Sequence, residues 1–127
     1  RIVYIEDCSK IYSDEIFGLK YDIFQDDSIM SYHLPGHAAG QIGIEIETNK
    51  KKYLLAADSC WDYRAFKEYK LPSEIVRLFF NSWTEYKDSL LKLKKYHEVN
   101  PQIVIVPTHC SKTTEKLVSN KINMDVL

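Results

Sequence analysis

Residues 41–48, Gln-Ile-Gly-Ile-Glu-Ile-Glu-Thr, alternate isoleucine with glycine or glutamate. A period of two marks a strand, because successive side chains leave a strand on opposite faces. The pattern predicts that Ile42, Ile44 and Ile46 face a core while Glu45 and Glu47 face water. The chain then turns through Asn-Lys-Lys-Lys and runs into Tyr-Leu-Leu-Ala-Ala-Asp, residues 53–58, a strand apolar on both sides and so expected to lie deeper. After that the period changes. Trp83, Tyr86, Leu90, Leu93 and His97 recur at spacings of three and four, one stripe of a helix. Ser82 and Glu85 form the S-x-x-E pattern of a capping box at its start. Lys94 and Lys95 suit its negative C-terminal end, and Asn100-Pro101 stops it. Gln-Ile-Val-Ile-Val-Pro, residues 102–107, is a β-branched strand expected to be buried on both faces, and the chain leaves it through a loop into a final helix.

Upstream, Arg-Ile-Val-Tyr-Ile-Glu-Asp reads as a short strand and Ser-Asp-Glu-Ile-Phe-Gly as a turn or one helical turn. Leu-Lys-Tyr-Asp-Ile-Phe and Ser-Ile-Met-Ser-Tyr-His-Leu read as strands joined by a Gln-Asp-Asp turn, and Ser73 can cap a short helix. Four or five strands, helices, a strand and a helix give an α+β fold, with helices on one face of a mixed sheet. The 127 residues fit a single domain, 1–127, and 45% hydrophobic with 28% charged residues can build a core. A net charge of -1 directs no field at nucleic acid or an anionic membrane. No apolar run is long enough to span a bilayer, and no signal-peptide pattern is read in these residues. Three cysteines, an odd number, argue against a disulfide framework and make the reducing cytoplasm the simplest setting.

Three polar residues share one placement. His37 lies in the loop before a strong strand, Asp58 ends one strand, and His109 lies just past another. Such loops commonly present functional side chains. Two imidazoles and a carboxylate meeting there would suit Zn²⁺. Each residue also has a plain structural role open to it: a loop histidine can sit on the surface, and an aspartate at a strand end can close a turn. Cys60 and Cys110 stand beside Asp58 and His109, which raises a thiol enzyme as a rival. A cysteine nucleophile needs a base and an electropositive site, which sequence adjacency does not supply, and burial is the commoner role of a free cysteine. Cys8 reads as plain core or surface. Trp61, Tyr63 and Phe66 could wall a substrate pocket or form an aromatic helix face on the sheet. Trp83 and Tyr86 belong to the core stripe, as does His97, and His33 ends a strand. The lysines of Leu-Lys-Leu-Lys-Lys-Tyr-His read as a solvated helix end.

The stretches LPGHAAGQIGI, LLAADSCW and IVPTHC, in this order, resemble the later motifs of the metallo-β-lactamase superfamily of metallohydrolases. The first is similar to its Gly-His-x-x-Gly loop, the second to the strand that ends in its metal-bridging aspartate, and the third to the strand that ends in its last metal histidine. The resemblance implies that His37 is a ligand of one metal, that Asp58 bridges two metals and positions the water nucleophile, and that His109 is a ligand of the second. Zinc is the usual ion, with iron or manganese as substitutes; the family's substrates span lactams, lactones, thioesters, phosphodiesters and others, and hydrolysis of an ester, thioester, lactone or related bond of a small molecule is the implied reaction. The family's His-x-His-x-Asp-His signature is missing from these residues. The chain is therefore expected to be the later half of an αββα sandwich, a C-terminal portion of a longer hydrolase or a truncated gene product. With two protein ligands per metal, where catalytic zinc normally has three, the chain alone is expected to bind metal weakly and hydrolyse little. The rival class is a non-enzymatic interaction domain, whose exposed sheet face pairs with a second copy or with a separate N-terminal half.

Overall fold

The computed structural model describes residues 4–49 and 51–125. After a single helical turn, α1 (Ile5–Cys8), six strands form one sheet in sequence order: β1 (Lys10–Asp14), β2 (Gly18–Asp22), β3 (Ile29–His33), β4 (Ile42–Glu47), β5 (Lys52–Ala57) and β6 (Val104–Pro107). The first five are antiparallel neighbours, and β6 lies parallel to β5. The crossover between β5 and β6 carries α2 (Tyr63–Glu68), a 3₁₀ segment (Glu74–Phe79) and α3 (Trp83–Val99), and α4 (Ser111–Asp125) follows β6. This is the expected α+β arrangement with a mixed sheet.

The N-terminal reading needs correction. The stretch expected as a strand is helical over Ile5–Cys8, with Arg1 to Val3 outside the described residues. The strand β1 comes later and pairs with β2 through a turn in which Asp14 Oδ1 accepts from the backbone N–H of Ile16 (2.9 Å) and Phe17 (2.8 Å). A side chain that satisfies two turn donors makes Ser-Asp-Glu-Ile-Phe-Gly a hairpin rather than a helical turn. Ser73 precedes the 3₁₀ segment without capping it. The α3 cap is as expected, since Ser82 Oγ accepts from the backbone N–H of Glu85 at 3.3 Å.

Helix α3 lays Tyr86, Leu90 and Leu93 on one face of the sheet, with Ala65 and Phe66 of α2 beside them. Opposite them the row Met30, Glu45, Leu54, Ile105 crosses four strands in register and is 9%, 7%, 0% and 4% exposed. The covered face of β4 is thus the glycine–glutamate face, the reverse of the expectation. Two features allow it. A Cβ on Gly43 would lie 2.7 Å from Leu34 Cδ1, so the missing side chain makes room for a fully buried leucine. Glu45 is not left bare, because Tyr32 Oη donates to its Oε2 at 3.2 Å, Tyr96 Oη donates to the same oxygen, and Lys52 Nζ stands 3.5 Å from Oε1. A buried carboxylate with two phenol donors and a cation escapes most of the desolvation penalty that excludes acids from cores. Burial together with the Glu45 charge pushes both phenols well above their usual range.

The opposite face carries Ile44, Leu55 and Val106 in register, flanked by Ile42, Ile46 and Val104. It is half-buried, with Leu55 40% exposed. Strands β5 and β6 are accordingly buried on one face only, not on both.

Candidate functional site

The loop between β3 and β4 is shaped around Gly36. Its φ of +129° lies in the region that favours glycine, and a Cβ there would lie 2.2 Å from the Tyr86 backbone nitrogen. This close approach lets the loop dock on the first turn of α3. Ser82 N–H donates to Gly36 O (2.9 Å), Asn81 N–H to His37 O (3.2 Å), and Ser89 Oγ to Pro35 O (2.7 Å). Leu34 N–H closes the loop onto Gln41 O at 2.9 Å. The loop is therefore a rigid bracket, and His37 is the residue it holds out. Phe80 packs on the imidazole in a T-shaped contact with centroids 5.2 Å apart.

Asp58 and His109 arrive by register. Ala57 of β5 pairs with Pro107 of parallel β6, so both strands end at the same rim. A register irregularity between Leu55 and Ala57, and a φ of +48° at Ala57, turn the chain as it leaves β5. Ser59 fixes that turn by donating its N–H (3.3 Å) and its hydroxyl to Ala56 O.

At the rim the Asp58 carboxylate stands between the two imidazoles. His37 Nε2 is 3.8 Å from Oδ2, and His109 Nε2 is 3.3 Å from Oδ1. The side chains of His37 and Asp58 are each 34% exposed and that of His109 64%, so the group opens to solvent on the His109 side. His37 Nδ1, Asp58 Oδ1 and Trp61 Nε1 are buried atoms without a hydrogen-bond partner among the described residues. All three sequence-derived candidates are thus brought together. Among the described residues, however, no three His, Cys, Asp or Glu side chains form a group that could hold a metal ion. The geometry says why: the imidazoles address different oxygens of Asp58, which makes two ligand pairs sharing one carboxylate rather than one three-ligand cage. The donors suit a borderline-soft cation in kind, and neither Asp58 Oδ1 nor His37 Nδ1 is taken up by a hydrogen bond among the described residues. The set is open, as two ligands per metal would make it.

An aromatic wall backs the site. Phe80 touches His37 and lies 5.9 Å from Trp61, 5.4 Å from Trp83 and 4.4 Å from Tyr86, and Trp61 presents an edge 6.3 Å from His109. Trp61 falls on the pocket side of the two readings open to it, whereas Phe66 is buried in the core. Phe80 went unrecognised in the sequence; its only signal was its place between two helical segments. Tyr86 is 1% exposed, and burial, the Cys60 thiol and the Asp58 charge push its phenol up. Cys60 and Cys110 are poorly placed for a thiol site. Cys60 is 0% exposed and burial pushes its thiol far up. Cys110 is 4% exposed, and although burial acts to raise its thiol, hydrogen bonds from Thr113 and the Tyr63 backbone hold it below its ordinary value. Both side chains are buried. His33 pairs with Glu6 (3.4 Å), and His97 packs on Phe66 (5.2 Å), away from the site.

No family model matches the sequence, and no curated protein matches it. Solved structures do. A variant of B. thuringiensis AiiA with N-decanoyl-L-homoserine bound at its active site is 18% identical and superposes with a TM-score of 0.61, over 76% of this chain and 36% of that one. An N-acyl homoserine lactone hydrolase with the product N-hexanoyl-L-homoserine at its catalytic metal center is 19% identical, with a TM-score of 0.55 over 76% of this chain and 36% of that one. A quorum-quenching N-acyl homoserine lactone lactonase is 19% identical, with a TM-score of 0.55 over 67% and 33%. The chain spans about a third of the length of these structures, and what it shares with them is the metallo-β-lactamase-type fold that the three motifs implied.

Proposed function

We propose that the complete protein is a hydrolase that uses metal-activated water to open a lactone or a related ester-type bond, with His37, Asp58 and His109 as the metal ligands this chain supplies. The observation that carries the reading is the Asp58 carboxylate flanked by two imidazoles at 3.8 and 3.3 Å, one on each oxygen. Lactone hydrolases among the matching folds favour the bond type. Zinc suits two imidazoles and a carboxylate, with iron or manganese as alternatives. The bound ion would lower the pKa of a water from 15.7 toward about 7 and draw charge from the scissile carbonyl.

The chain's own residues orient and shield. The Gly36 bracket fixes the His37 ring, Asp58 aligns one imidazole with each of its oxygens, and Phe80 with Trp61 keeps water from one side. The open side at His109 is where a small-molecule substrate would enter. Two buried free cysteines favour a reducing cytoplasm.

Zn²⁺ titration into this chain is expected to give weak binding that Asp58→Ala abolishes, that His37→Ala and His109→Ala each reduce, and that His97→Ala leaves intact. In the complete protein, Asp58→Ala should end hydrolysis of N-hexanoyl-homoserine lactone. Zinc binding that survives Asp58→Ala refutes the ligand assignment, and an active complete protein with that substitution refutes the hydrolase reading.

The half-buried isoleucine face favours a second reading, a scaffold that pairs through its sheet with a second copy or with an N-terminal half. Light scattering on the purified chain separates the two: a metal-free, constitutive dimer supports pairing as the function, and a monomer speaks against it.

A further inference from the structure

A groove of about 510 Å³ runs between α2, the β6 strand and α4, away from the aromatic wall. Its floor is apolar, made by Phe66, Ile103, Ile105 and Leu117. Its rim is not. Lys51 before β5, Lys67 of α2, and Lys112 and Lys116 of α4 come to it from three separate segments, and no acidic side chain lines it. None of the four makes an ion pair among the described residues; Lys112 Nζ instead rests 5.7 Å over the Tyr63 ring. By contrast Lys52, Lys92 and Lys94 elsewhere stand within 3.5 Å of carboxylates. His97, which also lines the groove, has a buried Nδ1 with no hydrogen-bond partner.

A concavity of this volume lies within the roughly 300–1,000 Å³ typical of small-molecule sites, which are mostly apolar with a few polar groups that orient the ligand. Four uncompensated ammonium groups facing one cavity repel one another, and an anion placed among them relieves that repulsion. We infer that this groove is a second binding site, for a small anionic amphiphile: an apolar body on the Phe66–Ile105 floor and one carboxylate or phosphate head among the lysines. The inference does not depend on the proposed hydrolysis, because none of His37, Asp58 and His109 lines the groove.

The test uses decanoate as the probe, titrated calorimetrically and followed in ¹⁵N–¹H spectra. Saturable binding is expected, with shifts on α2, β6 and α4, and added salt should weaken it. The double variant Lys112→Glu/Lys116→Glu, at two exposed positions, should lose about tenfold in affinity or more, roughly 1.4 kcal/mol. Lys10→Glu/Lys20→Glu changes net charge equally at the far end of the sheet and should leave affinity within about twofold, since distant exposed charges are screened. If the groove variant fails to fold, Lys112→Gln/Lys116→Gln takes its place with the same expectation. The inference is overturned if decanoate does not bind, if both double variants weaken it equally, if decyltrimethylammonium binds as well, or if the shifts fall on the Ile42–Ile46 face. Inorganic phosphate in place of decanoate separates the head group from the body: competition by phosphate supports the cationic rim as the anchor.

Discussion

Replacing Gly36 by alanine is the sharpest probe of how the site is held. The new Cβ would lie 2.2 Å from Tyr86 N and 2.3 Å from Tyr86 Cα, both backbone atoms of α3 that no rotamer change can move aside. At a φ of +129° an L-residue is strained as well, by roughly 1–3 kcal/mol. Relief requires the loop to lift from the helix, which stretches the bonds from Ser82 N–H to Gly36 O and from Asn81 N–H to His37 O, each worth about 1 kcal/mol. The expected loss is roughly 3–5 kcal/mol, a large part of the ~5–15 kcal/mol that holds a domain. Gly40→Ala is the control, because a Cβ there meets nothing within 4 Å. Urea unfolding followed by far-ultraviolet circular dichroism should show a strongly lowered midpoint with unchanged slope for Gly36→Ala, and a shift under about 1 kcal/mol for Gly40→Ala. Equal midpoints for the two variants would refute the bracket.

Phe80→Ala removes a half-buried ring that touches His37, Trp61, Trp83 and Tyr86; it should lower stability by about 2 kcal/mol, below the ~3–5 typical of a fully buried phenylalanine, and broaden the His37 ring resonances in NMR spectra. Tyr96→Phe takes one donor from the buried Glu45 carboxylate and should cost about 1–3 kcal/mol, measured by thermal unfolding at neutral pH. The phenols of Tyr32, Tyr86 and Tyr96 are all pushed above the usual 10.0 in the folded chain. Above that pH the unfolded chain loses these protons and the folded chain keeps them, so the unfolded state binds fewer protons and stability falls as pH rises. Unfolding midpoints should therefore be flat from neutral pH to about 10 and drop beyond it, and a flat profile past that point would contradict the burial of the phenols. Ser82→Ala removes the α3 cap and should lower the midpoint by an amount equivalent to about 1 kcal/mol.

Much of the site was legible because strand ends are legible. Gly-Pro punctuation, β-branched runs and a capping box placed His37, Asp58 and His109 each just outside an element, and the parallel pairing of β5 with β6 carried the last two to one rim. The aromatic wall was not legible, because Phe80 meets His37 only when a helix 40-odd residues downstream folds back on the loop. Contacts of that kind depend on the path of the backbone and leave no periodic trace.

Sequence by itself determined β2 to β6, the α3 cap and stripe, and the need for glycine beside His37, because each rests on local stereochemistry and spacing. It also determined that β4 has two unlike faces. Which face turns inward only the tertiary structure decided. Alternation is symmetric, so a period of two cannot tell inside from outside, and the rule that acids face water yields where Tyr32, Tyr96 and Lys52 converge on Glu45 from three other elements.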